Sequence, residues 1–375
     1  MGSTPSIVVL AADGSGVPDS WKTQHGYSAG ASSTTVGANG FTLLQSYEAG
    51  LNPTNAASVL DMASATVTPA GLMTVSWQSQ QDGTTPTRLY DFYSLTAPYT
   101  NGGAWSRIQS NIAPAGATTS LSDDASGVSQ RFYRVTIAGH TDDVATIGIA
   151  GVQKLTLEEG ANYISMSTTQ ATPTLLSVLG TNLPQGDVES AATIVDIWDQ
   201  TSQGFLVNNA RYWLDLGASG WKQHNVPFAS NNVQLDPTKG VVVTIRTGQG
   251  PQTLYVPGFV PTDAEAQSVQ SNGYTVASST YPQSITLNAS GLSNAITGGI
   301  SLNKSDNLLF FDSTTQLFDI RVWYYTGDHS WRNADASIAT QQLQPGSAFL
   351  IQRRNRSTNL IWTNPVPYQV PLQGP

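Results

Sequence analysis

The chain has 375 residues, a length that allows two to four domains with separate cores. Only 11% of them are charged, against roughly 25% in an average globular protein, and Gly, Ser, Thr, Asn and Gln fill the gap. A net charge of -9 argues against nucleic acid, and nine Trp, fourteen Tyr and ten Phe argue against disorder.

No apolar run approaches the roughly 18 residues of a membrane span. Cysteine is absent, which removes disulfides, thiolate metal sites and a Cys nucleophile. A polar, weakly charged surface of this kind is common in extracellular β proteins and in subunits that pack against one another. Ile7, Val8, Val9 and Leu10 form an apolar stretch at the N-terminus. No Lys or Arg precedes Lys22, so the basic region of a signal peptide is missing; a leader already removed or a different export route is expected. The stretch reads as an assembly strand, completing a sheet in its own molecule or adding to a neighbour's edge; burying Ile7, Val9 and Leu10 would contribute roughly 1.5–3 kcal/mol each.

Residues 1–60 read as that strand followed by two short helical pieces between glycine-rich turns. One helical turn follows Pro18-Asp19-Ser20-Trp21. The other runs over Thr42 to Tyr47 and is stopped by Gly50 and Pro53. Residues 61–150 read as a small β-sandwich. Leu72 to Trp77, Arg88 to Ser94 and Arg131 to Ile137 alternate with period two between turn-forming clusters. Without a cystine, Trp77 is held in that core by packing alone.

Residues 151–262 and 263–375 read as one β domain written twice. Asp199 to Phe205 answers to Asp312 to Phe318, Tyr212-Trp213 to Tyr324-Tyr325, Trp221 to Trp331, and Leu235 to Leu343. An apolar strand follows in each, Val241 to Ile245 and Ala348 to Ile351, then an aromatic run closed by Pro261 or Pro367. The offset falls from 113 residues between the aspartates to 106 between the prolines, as loop insertions and deletions would produce. Helix is expected only at Thr174 to Leu179 and Pro261 to Ser271. The fold class is therefore all-β, with tandem sandwich-like domains behind a short irregular and helical N-terminal segment.

Three resemblances run along the chain. Val17-Pro18-Asp19-Ser20-Trp21 and Leu44 to Pro53 resemble the thrombospondin type 3-like calcium segments of secreted bacterial proteins. That resemblance implies calcium ligands, here reduced to Asp13, Asp19 and Asn39, with Lys22 and Ser46 where the family carries glutamates. Calcium prefers six to eight oxygens, several of them carboxylates, so a metal-free relic is the stronger expectation. Arg131-Phe132-Tyr133-Arg134-Val135 resembles the end of a fibronectin type III-like module of the same proteins. The duplicated half, from Gly160-Ala161-Asn162-Tyr163-Ile164-Ser165 to the strand after Pro345-Gly346, is similar to a domain of large bacterial surface proteins. Together they imply an extracellular, multi-module protein and name no substrate.

Catalytic chemistry finds no foothold. His25, His140, His224 and His329 are scattered, and no nucleophile elbow, P-loop or dinucleotide glycine pattern occurs. The adjacent pair Glu158-Glu159 would point to opposite strand faces, and Asp199 and Asp312 suit turns that they cap themselves. The cluster Arg353-Arg354-Asn355-Arg356 reads as a solvated hairpin turn. Trp221 and Trp331, beside Lys222-Gln223 and Arg332-Asn333, are core or interface residues, with glycan contact as the functional alternative. The expected function is a non-enzymatic structural subunit that assembles with itself into a surface filament, fibre or layer. The alternative is a carbohydrate-binding adhesin, or an accessory module of a polysaccharide-degrading system, with surface glycans as partners.

Overall fold

In the computed structural model the described residues are 14, 16–79, 88–96, 105–139, 144–199, 204–205, 210–217, 220–354 and 356–368. Two helices come first, α1 (Asp19–Gln24) and α2 (Leu43–Ala49). α2 begins because Thr42 accepts from the Gln45 amide at 3.2 Å while Gln45 Oε1 accepts from the Thr42 amide at 3.0 Å, a reciprocal cap. It stops because Gly50 takes φ +66°, a left-handed conformation that glycine adopts without strain.

The sandwich is built from β1 (Met62–Val67), β2 (Leu72–Gln78), β3 (Tyr90–Leu95), β4 (Ser106–Ile112), β5 (Thr118–Asp124) and β6 (Gln130–Ile137). One sheet runs β1-β2-β5. Along β2, Met73, Val75 and Trp77 are buried while their neighbours are not, which is the period-two pattern of the sequence made physical. Trp77 stacks on Phe92 with centroids 6.0 Å apart, and Phe92 stacks on Tyr133 at 5.4 Å.

The first repeat contributes β7 (Ala150–Leu157), β8 (Gly160–Ile164), α3 (Leu175–Leu179), β9 (Ile194–Asp199), β10 (Gly204–Phe205), β11 (Arg211–Asp215), β12 (Gly220–Gln223), β13 (Val241–Ile245) and β14 (Gln252–Phe259). The second contributes β15 (Glu265–Val269), β16 (Gly273–Ser278), β17 (Ile285–Thr286), α4 (Leu292–Ala295), β18 (Asn307–Asp312), β19 (Leu317–Tyr325), β20 (Ser330–Asn333), β21 (Gln342–Leu343), β22 (Ala348–Arg353) and β23 (Leu360–Asn364). The main sheets share one antiparallel order, β12-β11-β9-β13-β8 in the first repeat and β20-β19-β18-β22-β16 in the second. Each repeat also pairs its first and last strands, β7 with β14 and β15 with β23.

Register refines the sequence alignment. Trp213 faces Lys222 across β11 and β12, and Trp323 faces Arg332 across β19 and β20. Trp213 therefore answers to Trp323, and the aromatic pair Tyr212-Trp213 sits two residues out of step with Tyr324-Tyr325. Three further expectations change. The helix expected over 261–271 is strand β15, whose burial alternates so that Gln267 and Val269 face inward while β23 pairs along its length. The domain boundary expected between 150 and 151 falls inside β7. This strand pairs with β6 through Ala150 to Gln153 and with β14 along its whole length, so sandwich and first repeat share the sheet β14-β7-β6-β3-β4. Pro257 fits β14 because this is the edge strand, where one backbone face needs no partner.

The arginine cluster is likewise no solvated turn. Asp306, 0% exposed, accepts from Arg353 Nε at 3.3 Å, Arg356 Nε at 3.0 Å and the Thr297 amide at 2.8 Å. Arg353 is itself buried and donates to the carbonyls of Gln270 and Thr358. A buried carboxylate needs this many donors, and the two arginines supply them.

Candidate functional site

Among the described residues, those singled out by the sequence do not converge. Asp13 and the strand Ile7, Val8, Val9 and Leu10 lie outside the described residues. Asp19 faces a cation from its own helix, with Lys22 Nζ 3.5 Å away and donating also to the Ala29 carbonyl at 3.2 Å. Asn39 is spent inside the fold: its Nδ2 donates to Ser46 Oγ and the Ser58 carbonyl, both at 3.1 Å, and its Oδ1 accepts from the Phe41 amide. Among the described residues no three His, Cys, Asp or Glu side chains gather as a metal site. No helix among them is long and apolar enough to cross a membrane.

Trp221 and Trp331 are core residues, 0% and 3% exposed. Trp221 lies under α3 and donates its indole N–H to the Gly180 carbonyl at 2.9 Å. No ring face is left on which a sugar could stack, so the glycan contact offered as the alternative to core or interface finds no support in either indole. Alternation explains it: along β12 and β20 the tryptophans point inward, so Lys222 and Arg332 point out.

Side chains with a reactive appearance are tied into turns and struts. Glu159 Oε1 accepts from the amides of Gly248 and Gly250 at 3.0 and 2.9 Å, clamping the β13–β14 turn. Asp312 accepts from the amides of Thr314 and Thr315, and the Thr314 bond is the main reason its carboxyl sits below the ordinary carboxylate range. His224 Nδ1 contacts Glu189 Oε2, and Asp196 takes a two-pronged bond from Arg211 at 2.7 and 2.9 Å.

Two surfaces stand out among the described residues. The first locks the repeats together. β8 and β16 are the edge strands of their sheets, and each edge is closed by a side chain of the other repeat. Gln316 uses its amide as a strand would: Oε1 accepts from the Ala161 amide at 2.7 Å, and Nε2 donates to the Ala161 and Glu159 carbonyls at 3.1 Å. Trp198 Nε1 donates to the Tyr274 carbonyl at 3.3 Å. Tyr163, Phe311 and Phe318 cluster with centroids about 5 Å apart. Gly240 is required here, because a Cβ would lie 2.2 Å from that of Ala348.

The second surface is the outer face of the β19–β20 hairpin. Trp323, Tyr325 and Arg332 line a depression of about 610 Å³ together with Ile300, Asn303 and Ala334. Arg332 lies over the Tyr325 ring at 5.5 Å and is bonded to Asp328, Ser330 Oγ and the Ala336 carbonyl, so its charge is balanced within the hairpin. The first repeat differs at equivalent positions. There Asp215 replaces Tyr325 and pairs with Lys222 at 3.0 Å, and the ammonium lies 5.4 Å from the Trp213 ring centroid. No protein-family model matches the chain, and no curated protein matches it.

Proposed function

We propose that the protein is a non-enzymatic structural subunit that associates with itself into an extracellular filament, fibre or layer. The observation that carries this reading is the fusion of its modules into one framework. β7 belongs to the sandwich and the first repeat at once, and the repeats close each other's sheet edges through Gln316 and Trp198. Independent recognition modules are ordinarily joined by flexible linkers, whereas a load-transmitting subunit gains from having none. Within the sandwich the orders β1-β2-β5 and β7-β6-β3-β4 support the fibronectin-like reading. The weakly charged surface supports contact between copies, since each unpaired charge buried there is costly. Extracellular placement rests on the composition. The carbohydrate-binding alternative loses the two ring faces on which it relied.

Light scattering on the purified chain across a wide concentration range tests the reading. Mass should grow well beyond the 39.7 kDa of one chain. A strictly monomeric species at every concentration, with or without residues 1–12, overturns it.

A further inference from the structure

We infer that copies of this chain join head to tail by inserting Phe228 of one into the Trp323–Tyr325–Ile300 depression of the next. The inference rests on the self-assembly reading and adds to it a specific contact and polarity.

Phe228 is 75% exposed, the most exposed large apolar side chain among the described residues. It follows Pro227 in the loop after β12 and does not line the depression of its own chain. The depression, about 610 Å³, is a shallow hollow open to solvent, with space against the Trp323 and Tyr325 side chains for a benzyl group. Its rim carries Ile300, 69% exposed, and Ile338, 57% exposed, is bridged to Arg332 on the adjoining strand segment.

Comparison of the two repeats supplies the polarity. Ala229 bridges to Lys222 as Ile338 bridges to Arg332, so Phe228 answers to Ser337. The first repeat has the knob, while an Asp215–Lys222 ion pair occupies the equivalent of the hollow. The second repeat has the hollow and a serine in place of the knob. Equivalent positions of the two repeats thus carry unlike surfaces, a knob in one and a hollow in the other. A contact between unlike patches leaves one of each unsatisfied after every addition, so unless rotation closes a ring the chain of copies grows.

Charge matters as much as shape. Arg332 already holds Asp328, and the loop from Asn225 to Asn232 carries no charged residue, so docking strands no unpaired ion. One aromatic anchor is a hot spot and no complete interface, which takes on the order of 1,200–2,000 Å² in total.

The chain contains no cysteine, so cross-linking is clean. Mixing Ala229→Cys, which keeps the Phe228 ring, with Ala334→Cys under mild oxidation should give a covalent dimer, while either variant alone gives none. Phe228→Asp should weaken association by roughly 30-fold or more, as loss of a hot-spot aromatic does, and Phe228→Leu should retain most of it. If the wild-type chain polymerises and Phe228→Asp polymerises equally well, the knob-in-hollow contact is wrong while self-assembly stands. The contact is equally wrong if Ala229→Cys cross-links no better to Ala334→Cys than to a control, Asp319→Cys. A wild-type chain that stays monomeric overturns both the contact and self-assembly.

Discussion

Replacing Asp306 by alanine removes the carboxylate that Arg353 and Arg356 share inside the second repeat. Asp306 is 0% exposed, and its oxygens hold Arg353 Nε, Arg356 Nε and the Thr297 amide at 3.3, 3.0 and 2.8 Å. Removing one partner of a buried pair typically costs about 3–5 kcal/mol, because the other charge stays buried without compensation. The Gln270 and Thr358 carbonyls still receive Arg353 Nη1, which places the expected loss toward the lower end of that range. Urea unfolding followed by tryptophan fluorescence reads this as a lower midpoint at unchanged slope. The shift should persist at high salt, since buried pairs are screened far less than exposed ones. Asp319→Ala, on the exposed face of β19, should leave the midpoint in place. A loss below about 1 kcal/mol for Asp306→Ala, or one that high salt erases, would refute the buried-pair account.

Trp221→Ala should cost about 3–5 kcal/mol, as truncating a fully buried indole does, and near-wild-type stability would contradict its core placement. Gln316 sits at φ +60°, where a side chain is strained, yet its amide makes the cross-repeat bonds. Gln316→Gly relieves the strain and Gln316→Ala does not, so alanine should be the less stable variant by about 1 kcal/mol; hydrogen exchange at the Ala161 amide should quicken in both. Burial, then repulsion from Asp236 and Asp263, raises the Glu265 carboxyl above its ordinary value. A folded value above the unfolded one means that ionisation costs the folded state, so stability falls as pH rises through the folded value and recovers on acidification. Melting measured from mildly acidic to neutral pH should show that slope, and Glu265→Gln should flatten it while melting higher at neutral pH.

What the sequence discloses follows from how local each signal is. The alternation of Met73, Val75 and Trp77 and the helix stop at Gly50 depend on residues a few positions apart, and both are realised as written. The twofold repeat is legible because turn residues such as Asp199 and Asp312 recur in order. The two-residue slip at Tyr212-Trp213 arises because aromatic identity suggests one match where strand register decides another. β15 escapes a local reading because five residues with Glu and Ala suit a helix until β23, about a hundred residues later, pairs with them. The Arg353 cluster looks solvated until Asp306 is brought beneath it. Lys222 directly after Trp221 carries a further signal: in a strand only one of two neighbours can face out. The Trp323 depression and the exposure of Phe228 have no local signature, because the folding of the hairpins creates both.

Negative-stain electron microscopy of the purified, untagged chain bears most directly on whether this framework is a building block. Regular fibres or arrays with a repeat set by one chain are expected, and they should vanish with Phe228→Asp. Fields of isolated particles at every concentration, unchanged by that substitution, would contradict it.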